Sequence, residues 1–467
     1  MKRQKLTSSE LLCGLCFALC FFAFMLTEAF INERCAVILG SSAVNPVYTF
    51  GLVCTGLGFF SFSLLRRLCK KEKSRKTAQT ILGILCIGAA LVLLFADHPA
   101  LFLTSSSAAL LLTGHISGCV YYNTAMYFAA SRYMGRLIGT GMGVAILLQF
   151  VVQNLIPQSV TFIISIILSV AFVMYFVITV PKDWILENPL PYSSDAKKDF
   201  KKTLLLIVAV VLMSLVAGMI DSVLTAFNAE KSYDIYGGVR LFYALGLILA
   251  GFLADIKERK YLPLSTVCTI LLSSVCMFFL SNEVSYFAGT ALMYLYSGFY
   301  VIFLTVMFLD FAPKSSRPEL WAGMGRIVRS FTVAATVLPA FNIYGAVGTT
   351  VLAVVSCLLS ILILLVLLPY LSNAAVSLKP TEELISGSPE LSPQERMKLY
   401  AQHCSLTPRE TEVLEKLLTT EDGVQEIADS LYISRRMLQR YISSIYEKTE
   451  TKTRLGLFQR YMSFTTE

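Results

Sequence analysis

Between residues 11 and 371 the chain makes twelve apolar runs, each near the roughly 20 residues that a helix needs to cross a bilayer core about 30 Å thick. No other feature constrains the fold as much. Backbone in hydrocarbon must satisfy its own N–H and C=O groups, and runs without a two-residue alternation do so only as helices. Short charged connections divide the runs into two sets of six, residues 1–196 and 197–371. Charge follows the same division. Of 70 Asp, Glu, Lys and Arg residues, 44 are spread over the first 372 positions and 26 crowd into the last 95. The expected architecture is all-α: a twelve-span membrane domain over 1–371, a Ser, Pro and Glu-rich linker over 372–404, and a soluble four-helix domain over 405–467.

Positive charge sets the orientation. Lys and Arg gather in the second, fourth, sixth, eighth and tenth connections, from Arg66 to Lys76, Arg132 to Arg136, Lys182 to Lys202, Lys257 to Lys260 and Lys314 to Arg326, while the odd connections hold little beyond Arg34 and Lys231. By the positive-inside rule both termini are expected to be cytoplasmic, the protein lying in the cell membrane with lipid around it, and Arg329 snorkelling to the cytoplasmic face. Lys2, Arg3 and Lys5 precede an apolar run with no small-residue cleavage site, so the first run is expected to be a span rather than a signal peptide. Most of the 12 cysteines lie inside apolar runs, and Cys13-x-x-Cys16 has no third ligand beside it. Neither a metal nor a cofactor is expected. Without a phosphate-binding loop or a clustered His/Asp set, no enzyme is expected either.

The two halves repeat. At an offset of 193, Gly58-Phe59 falls on Gly251-Phe252, Arg66-Arg67 on Arg259-Lys260, and Glu28 of span one on Asp221 of span seven. Intramembrane acids are costly and tend to be functional, so the matched pair is a candidate ligand or proton site; a structural pairing with Arg240, at the start of span eight, is the alternative.

Gly251-Phe-Leu-Ala-Asp255-Ile-Lys-Glu-Arg259-Lys260 resembles the G-x-L-A-D-x-x-x-R-K signature of the major facilitator superfamily, and stands between spans eight and nine as it does there. The resemblance implies a facilitator-like bundle of two six-helix halves, in which Gly251 allows close helix packing and Asp255 and Arg259 join a charge network that latches the halves. The first-half copy has Phe62 in place of the acid, so that latch is expected to be degenerate, which disfavours a full transport cycle. The resemblance also implies a central cavity lined by spans one, four, seven and ten. That places Glu28, His115, Asn123, Asp221 and Tyr294, with Arg240, as candidate contacts for an unknown small molecule; His115 has the alternative of a satisfied interhelical hydrogen bond.

The last 63 residues read as four helices. Thr407-Pro408-Arg409-Glu410 is a capping box with Pro at the first helical position. A short helix over 425–431, a turn at Tyr432-Ile433, and a helix over 435–448 capped by Ser434 make a helix-turn-helix whose second member carries Arg435, Arg436, Gln439 and Arg440. A last helix is expected from about 453 to 461. The run from Leu406 to Leu414, with Glu426, Ala428, Leu431, Ile433-Ser434, Ile445 to Lys448 and Arg454, resembles the LuxR-type DNA-binding domain. The resemblance implies double-stranded DNA as partner and a homodimer through the fourth helix. It puts Gln439, Arg440 and Ser443 in the groove, and Arg435, Arg436 and Tyr441 near phosphates. Met437-Leu438-Gln439 and Tyr441 depart from the family's usual residues, so the DNA sequence read is expected to differ.

These features lead to the expectation of a one-component transcriptional regulator, its membrane domain sensing a small molecule and controlling the reader. A proton-coupled secondary transporter with an appended reader is the rival.

Overall fold

Each apolar run is helical. In a computed structural model the described residues are 8–69, 71–128, 131, 133–156, 159–179, 196–229, 237–256, 259–279, 283–376, 393–420, 422–449, 451 and 453–462. The membrane helices are α1 (Ser8–Ile38), α2 (Val44–Leu68), α3 (Glu72–Leu94), α4 (Pro99–Tyr127), α5 (Met134–Leu155), α6 (Ser159–Thr179), α7 (Ala196–Ala229), α8 (Arg240–Ala254), α9 (Tyr261–Cys276), α10 (Glu283–Phe311), α11 (Pro318–Val347) and α12 (Thr349–Val376). Among the described residues ten are long and apolar enough to cross a membrane, while α8 and α9 are apolar but shorter, at 15 and 16 residues. Much of the expected linker, 377–392, and the connections at 180–195 and 230–236 lie outside the described residues.

The chain divides into two units, Met1–Ala375 and Val376–Glu467. In the first, α2 packs on α4 and α1 on α5 and α6 within one half, and α7 packs on α11 and α8 on α10 within the other. The halves meet along two seams, α2 against α11 and α5 against α8. Outward faces of α3 and α12 leave Ile84, Leu85, Leu358, Ile361 and Leu365 exposed. In water such a surface would be an aggregation liability; against acyl chains it is the favoured one.

The second unit is built from α13 (Pro393–His403), α14 (Pro408–Thr419), α15 (Val424–Ser430), α16 (Arg435–Lys448) and α17 (Arg454–Met462). Its core holds Val413, Leu414, Leu417, Ile427, Ala428, Leu438, Ile445 and Leu457. Met397 and Tyr400 of α13 are buried in the same core, so the last part of the stretch read as linker packs as a helix of the domain. Burying two large side chains there is worth several kcal/mol of transfer free energy.

Candidate functional site

The seams carry the bundle's charges. At the end where α2 meets α3 and α8 meets α9, called the basic end for its Arg and Lys residues, Gly251 crosses Gly139 of α5. A Cβ on Gly251 would fall 2.6 Å from the Gly135 carbonyl oxygen, so a side chain would push α8 off α5. Asp255, one turn on, accepts the backbone N–H groups of Gly135 and Arg136, both at 2.8 Å. Those are unpaired donors in the first turn of α5, so an acid from one half caps a helix of the other. Arg259, with φ at 71°, pairs with Asp255 and donates to Asp310 of α10 at 2.6 Å. Lys260 is half-buried at the N-cap of α9.

The first-half seam is clasped too, with its polarity reversed. Phe62, where the signature has its acid, is buried against the rings of His115 and Tyr122. The acid comes instead from the first turn of α11: Glu319 pairs with Arg66 at 2.9 Å and Arg67 at 3.2 Å. Arg66 also donates to the Tyr122 hydroxyl at 2.7 Å. The latch expected to be degenerate has lost its signature residue but keeps a cross-half ion pair, with the carboxylate where the α11 dipole favours it.

Deeper in the bundle the two matched acids meet one group of cations. Asp221 accepts from the Tyr48 hydroxyl at 3.0 Å and pairs with Arg329 at 3.4 Å. Glu28 lines a cleft of about 250 Å³ with Asn32, Tyr48 and Thr55, and interacts electrostatically with Arg329, Asp221, Arg240 and Arg326. Arg240 donates to Gln149 at 3.2 Å and to the Tyr294 hydroxyl at 3.4 Å, and Gln149 donates to the Met25 carbonyl at 3.2 Å. A second cleft of about 350 Å³ is lined by Phe21, Phe24, Phe59, Tyr121, Arg326 and Arg329, among others.

Of the expected ligand contacts, the structure gathers Glu28, Asp221, Arg240 and Tyr294 around the meeting of the halves. His115 and Asn123 line neither cleft. The His115 ring lies between Ser61 on Nδ1 at 2.8 Å and Gln79 on Nε2 at 3.2 Å, inside the first half. Asn123 is buried and donates to the Cys119 sulfur at 3.8 Å. Three residues of the charged centre, Tyr48, Arg326 and Arg329, and Glu319 of the basic-end clasp have no assignment to either site from sequence. The two arginines were assigned to the bundle's cytoplasmic end, and the correction follows from α11 beginning at Pro318. They stand 8 and 11 residues into it, about 12 and 16 Å along the axis, too deep to reach the end. Among the described residues no group of three or more His, Cys, Asp or Glu could hold a metal.

In the second unit the face expected to meet DNA is on α16. Ser434 accepts the Met437 N–H at 3.3 Å as its N-cap. Leu438 and Ile445 are buried, which turns Arg435, Arg436, Gln439, Arg440 and Ser443 outward, all exposed. Tyr441 is half-buried and packs on the core, so its ring is part of the domain's scaffold as well as a neighbour of that face. Glu410, at the N3 position of the α14 capping box, ties α14 to α16. It accepts from Thr407, Ser444 at 2.6 Å and Lys448 at 2.7 Å. Burial raises its pKa, but the hydrogen bonds from Lys448, Ser444 and Thr407 outweigh that and lower it to about 2. Arg454 of α17 donates to the carbonyls of Leu417 and Asp422, both at 2.8 Å, and to that of Thr420, closing the C-terminal end of α14.

Residues 404–460 match the luxR family of bacterial regulatory proteins (GerE). No curated protein matches the chain in sequence. Among the solved structures it resembles is the crystal structure of the human organic anion transporter MFSD10 (TETRAN), at 13% identity and a TM-score of 0.56, covering 77% of this chain and 98% of that one. At that identity the likeness is one of fold. The C-terminal module is LuxR-type, which implies DNA binding, and it is fused to a multi-pass membrane bundle with a facilitator-like fold.

Proposed function

We propose that the protein is a membrane-embedded one-component transcriptional regulator, in which the facilitator-like bundle senses a small molecule and its conformation controls DNA binding by the LuxR-type module. The observation that carries this reading is the joining, in one chain, of a reader with a capped and exposed α16 to a bundle clasped along two seams by a few specific ion pairs. A ligand shifts a two-state protein only by its differential affinity for the states, and breakable clasps supply the two states. Both termini are cytoplasmic on the charge asymmetry of the connections, so the reader faces the chromosome. Its partners are double-stranded DNA, the ligand, membrane lipid and a second copy paired through α17.

The second reading, a proton-coupled transporter carrying a reader, is favoured by one observation. The Glu319 clasp removes the argument that the first seam could not latch. Reporter output from a bound promoter, followed against inducer dose in the native protein, Glu28→Gln and Asp221→Asn, tests both. Output fixed at one level in the two variants, while the purified tail still binds DNA, supports the sensor. Normal responses would make the acids structural. Uptake of the inducer by protein lacking the tail would put transport first.

A further inference from the structure

The cations of the basic end are unevenly placed. At the α2–α3 corner the described residues hold six, Arg66, Arg67, Lys71, Lys73, Arg75 and Lys76, against two acids, Glu72 and Glu319, a surplus of +4. The matching corner of the second half brings Arg136, Arg259 and Lys260 to Asp255 and Asp310, a surplus of +1. Orientation asks for positive charge on that side of the membrane, but not for so much more in one repeat than in its copy. Part of the surplus is built into the fold. Arg75 is 7% exposed and donates to the carbonyls of Cys69 and Arg66, closing the end of α2, while its Nη1 has no partner. Arg66 is spent on Glu319 and Tyr122, and Lys76 on Glu72 at 2.7 Å. The outer rim is then Arg67, Lys71 and Lys73, all exposed; among the described residues only Arg67 of these has an ion-pair partner, the Glu319 it shares with Arg66. Beside this rim Leu64 and Leu68 of α2 stand exposed, Leu68 at 71%, as does Ile81 of α3, about 12 Å along the helix from Lys73. Such side chains belong against acyl chains, so the rim lies at headgroup level, the depth at which a membrane presents phosphate.

We propose that the α2–α3 corner binds the phosphate headgroup of an anionic phospholipid, with Arg67, Lys71 and Lys73 as its contacts and Leu64 and Leu68 against its acyl chains. A phosphodiester accepts several N–H bonds at once, so it suits the point charge of a lysine and the fork of an arginine together. A lipid with net negative charge removes part of the surplus, whereas a zwitterionic one brings a cation of its own to the rim. The relief extends to Arg66 and Arg75 behind the rim, so the lipid steadies the corner that carries the Glu319 clasp. Binding here belongs to the membrane domain alone and stands or falls apart from the sensor reading.

The test uses full-length protein in a neutral detergent, with thermal unfolding followed against added phosphatidylglycerol, phosphatidylcholine and soluble glycerol 3-phosphate. Phosphatidylglycerol should raise the midpoint saturably, with the other two inert at the same concentrations. Lys71→Gln combined with Lys73→Gln should weaken that response about tenfold or more, because the attraction of an anionic headgroup adds up cation by cation. Both side chains are exposed and make no ion pair, so the variant is expected to fold; should it fail, Lys71→Gln alone and the contrast of lipids in the native protein still decide. Lys314→Gln removes an exposed cation of the same end from outside the corner, and should leave the response unchanged. Phosphatidylcholine as effective as phosphatidylglycerol would show that headgroup charge is not recognised, and an equal loss in Lys314→Gln would show that only diffuse surface charge acts; either result overturns the assignment. Glycerol 3-phosphate as effective as the lipid would make the corner a site for a free phosphate ester, and would overturn the lipid as its occupant.

Discussion

Glu410 sets how the reader responds to acid. Glu410 is 4% exposed and its carboxylate ties the first turn of α14 to Ser444 and Lys448 on α16, so it fixes the helix proposed to read DNA. The gap between the ordinary value of 4.5 and about 2, at 1.36 kcal/mol per pH unit, is worth about 3 kcal/mol. The folded-state pKa lies below the unfolded one, so that contribution is complete above about pH 5 and drains away as pH falls toward 2. Small domains have about 5–15 kcal/mol in all, so this one interaction is a large share. Glu410→Gln, made in the separate unit Val376–Glu467, should lose about 2–3 kcal/mol at pH 7 in urea denaturation followed by helical circular dichroism. It should also flatten the fall in stability between about pH 5 and 2, because the group that titrates is gone. Lys448→Met should be destabilising too, since it strands a buried carboxylate, and combining the two should cost less than their sum. Equal stability and an unchanged pH slope in Glu410→Gln would refute the reasoning.

Three further expectations follow from the same geometry. Arg440→Ala should cost about 1–3 kcal/mol at the specific DNA site with folding intact, because the side chain is exposed on the groove face; equal loss on random DNA in a titration would reassign it to phosphate. Glu319→Gln leaves Arg66 and Arg67 without their carboxylate, a loss of about 3–5 kcal/mol for a buried pair, and should raise the accessibility of cysteines engineered at the basic end; unchanged labelling would show that the clasp does not hold that seam. A reporter fused after Glu467 and one inserted near Lys197 should both report cytoplasm while one near Lys231 reports the exterior, and an exterior C-terminus would end the regulatory reading.

What the sequence made legible depends on how local the signal is. The reader's helices, the Thr407–Glu410 capping box and the Ser434 cap rest on contacts three residues apart, so residue type and spacing nearly specify them. The Asp255 clasp was legible by resemblance, although its target, the first turn of α5, was not. Glu319 and Arg66 are 253 residues apart, and nothing in the spacing of either announces the other. Arg326 and Arg329 misled because positive charge near a helix start has two physical destinations. It can reach the headgroups, or it can turn inward where an acid or a cavity receives it. Only the start of α11 at Pro318, together with Asp221 on a neighbouring helix, decides for the second. Glu28 and Asp221 were found because the repeat doubled a rare residue; Tyr48, which completes the Asp221 site, is one of 22 tyrosines and carried no such mark.

The two functional readings differ in energy rather than in parts. A transporter must cross between its two states in every cycle, so its clasps in one state have to be nearly offset by contacts in the other. A sensor can rest far to one side, provided its ligand supplies the difference. Moving an equilibrium from 1:99 to 99:1 takes about 5.5 kcal/mol of differential binding. The clasps at the basic end, Glu319 with Arg66 and Arg67 and Asp255 with the first turn of α5, all favour the state in which that end is closed. In the centre, Arg329 is shared between Asp221, at a long 3.4 Å, and the cleft where its Nε is unused. A ligand that competed with Asp221 for Arg329 would loosen the hold of Asp221 on α2 through Tyr48. Ligand binding therefore weakens a link near the middle of the bundle while leaving the basic-end clasps as they are. The clasps set how far that shifts the population, so an inducer should move the reporter further in Glu319→Gln than in the native protein. An identical dose response in the two would mean that the clasp and the cleft are not coupled, and that the reader is controlled from elsewhere.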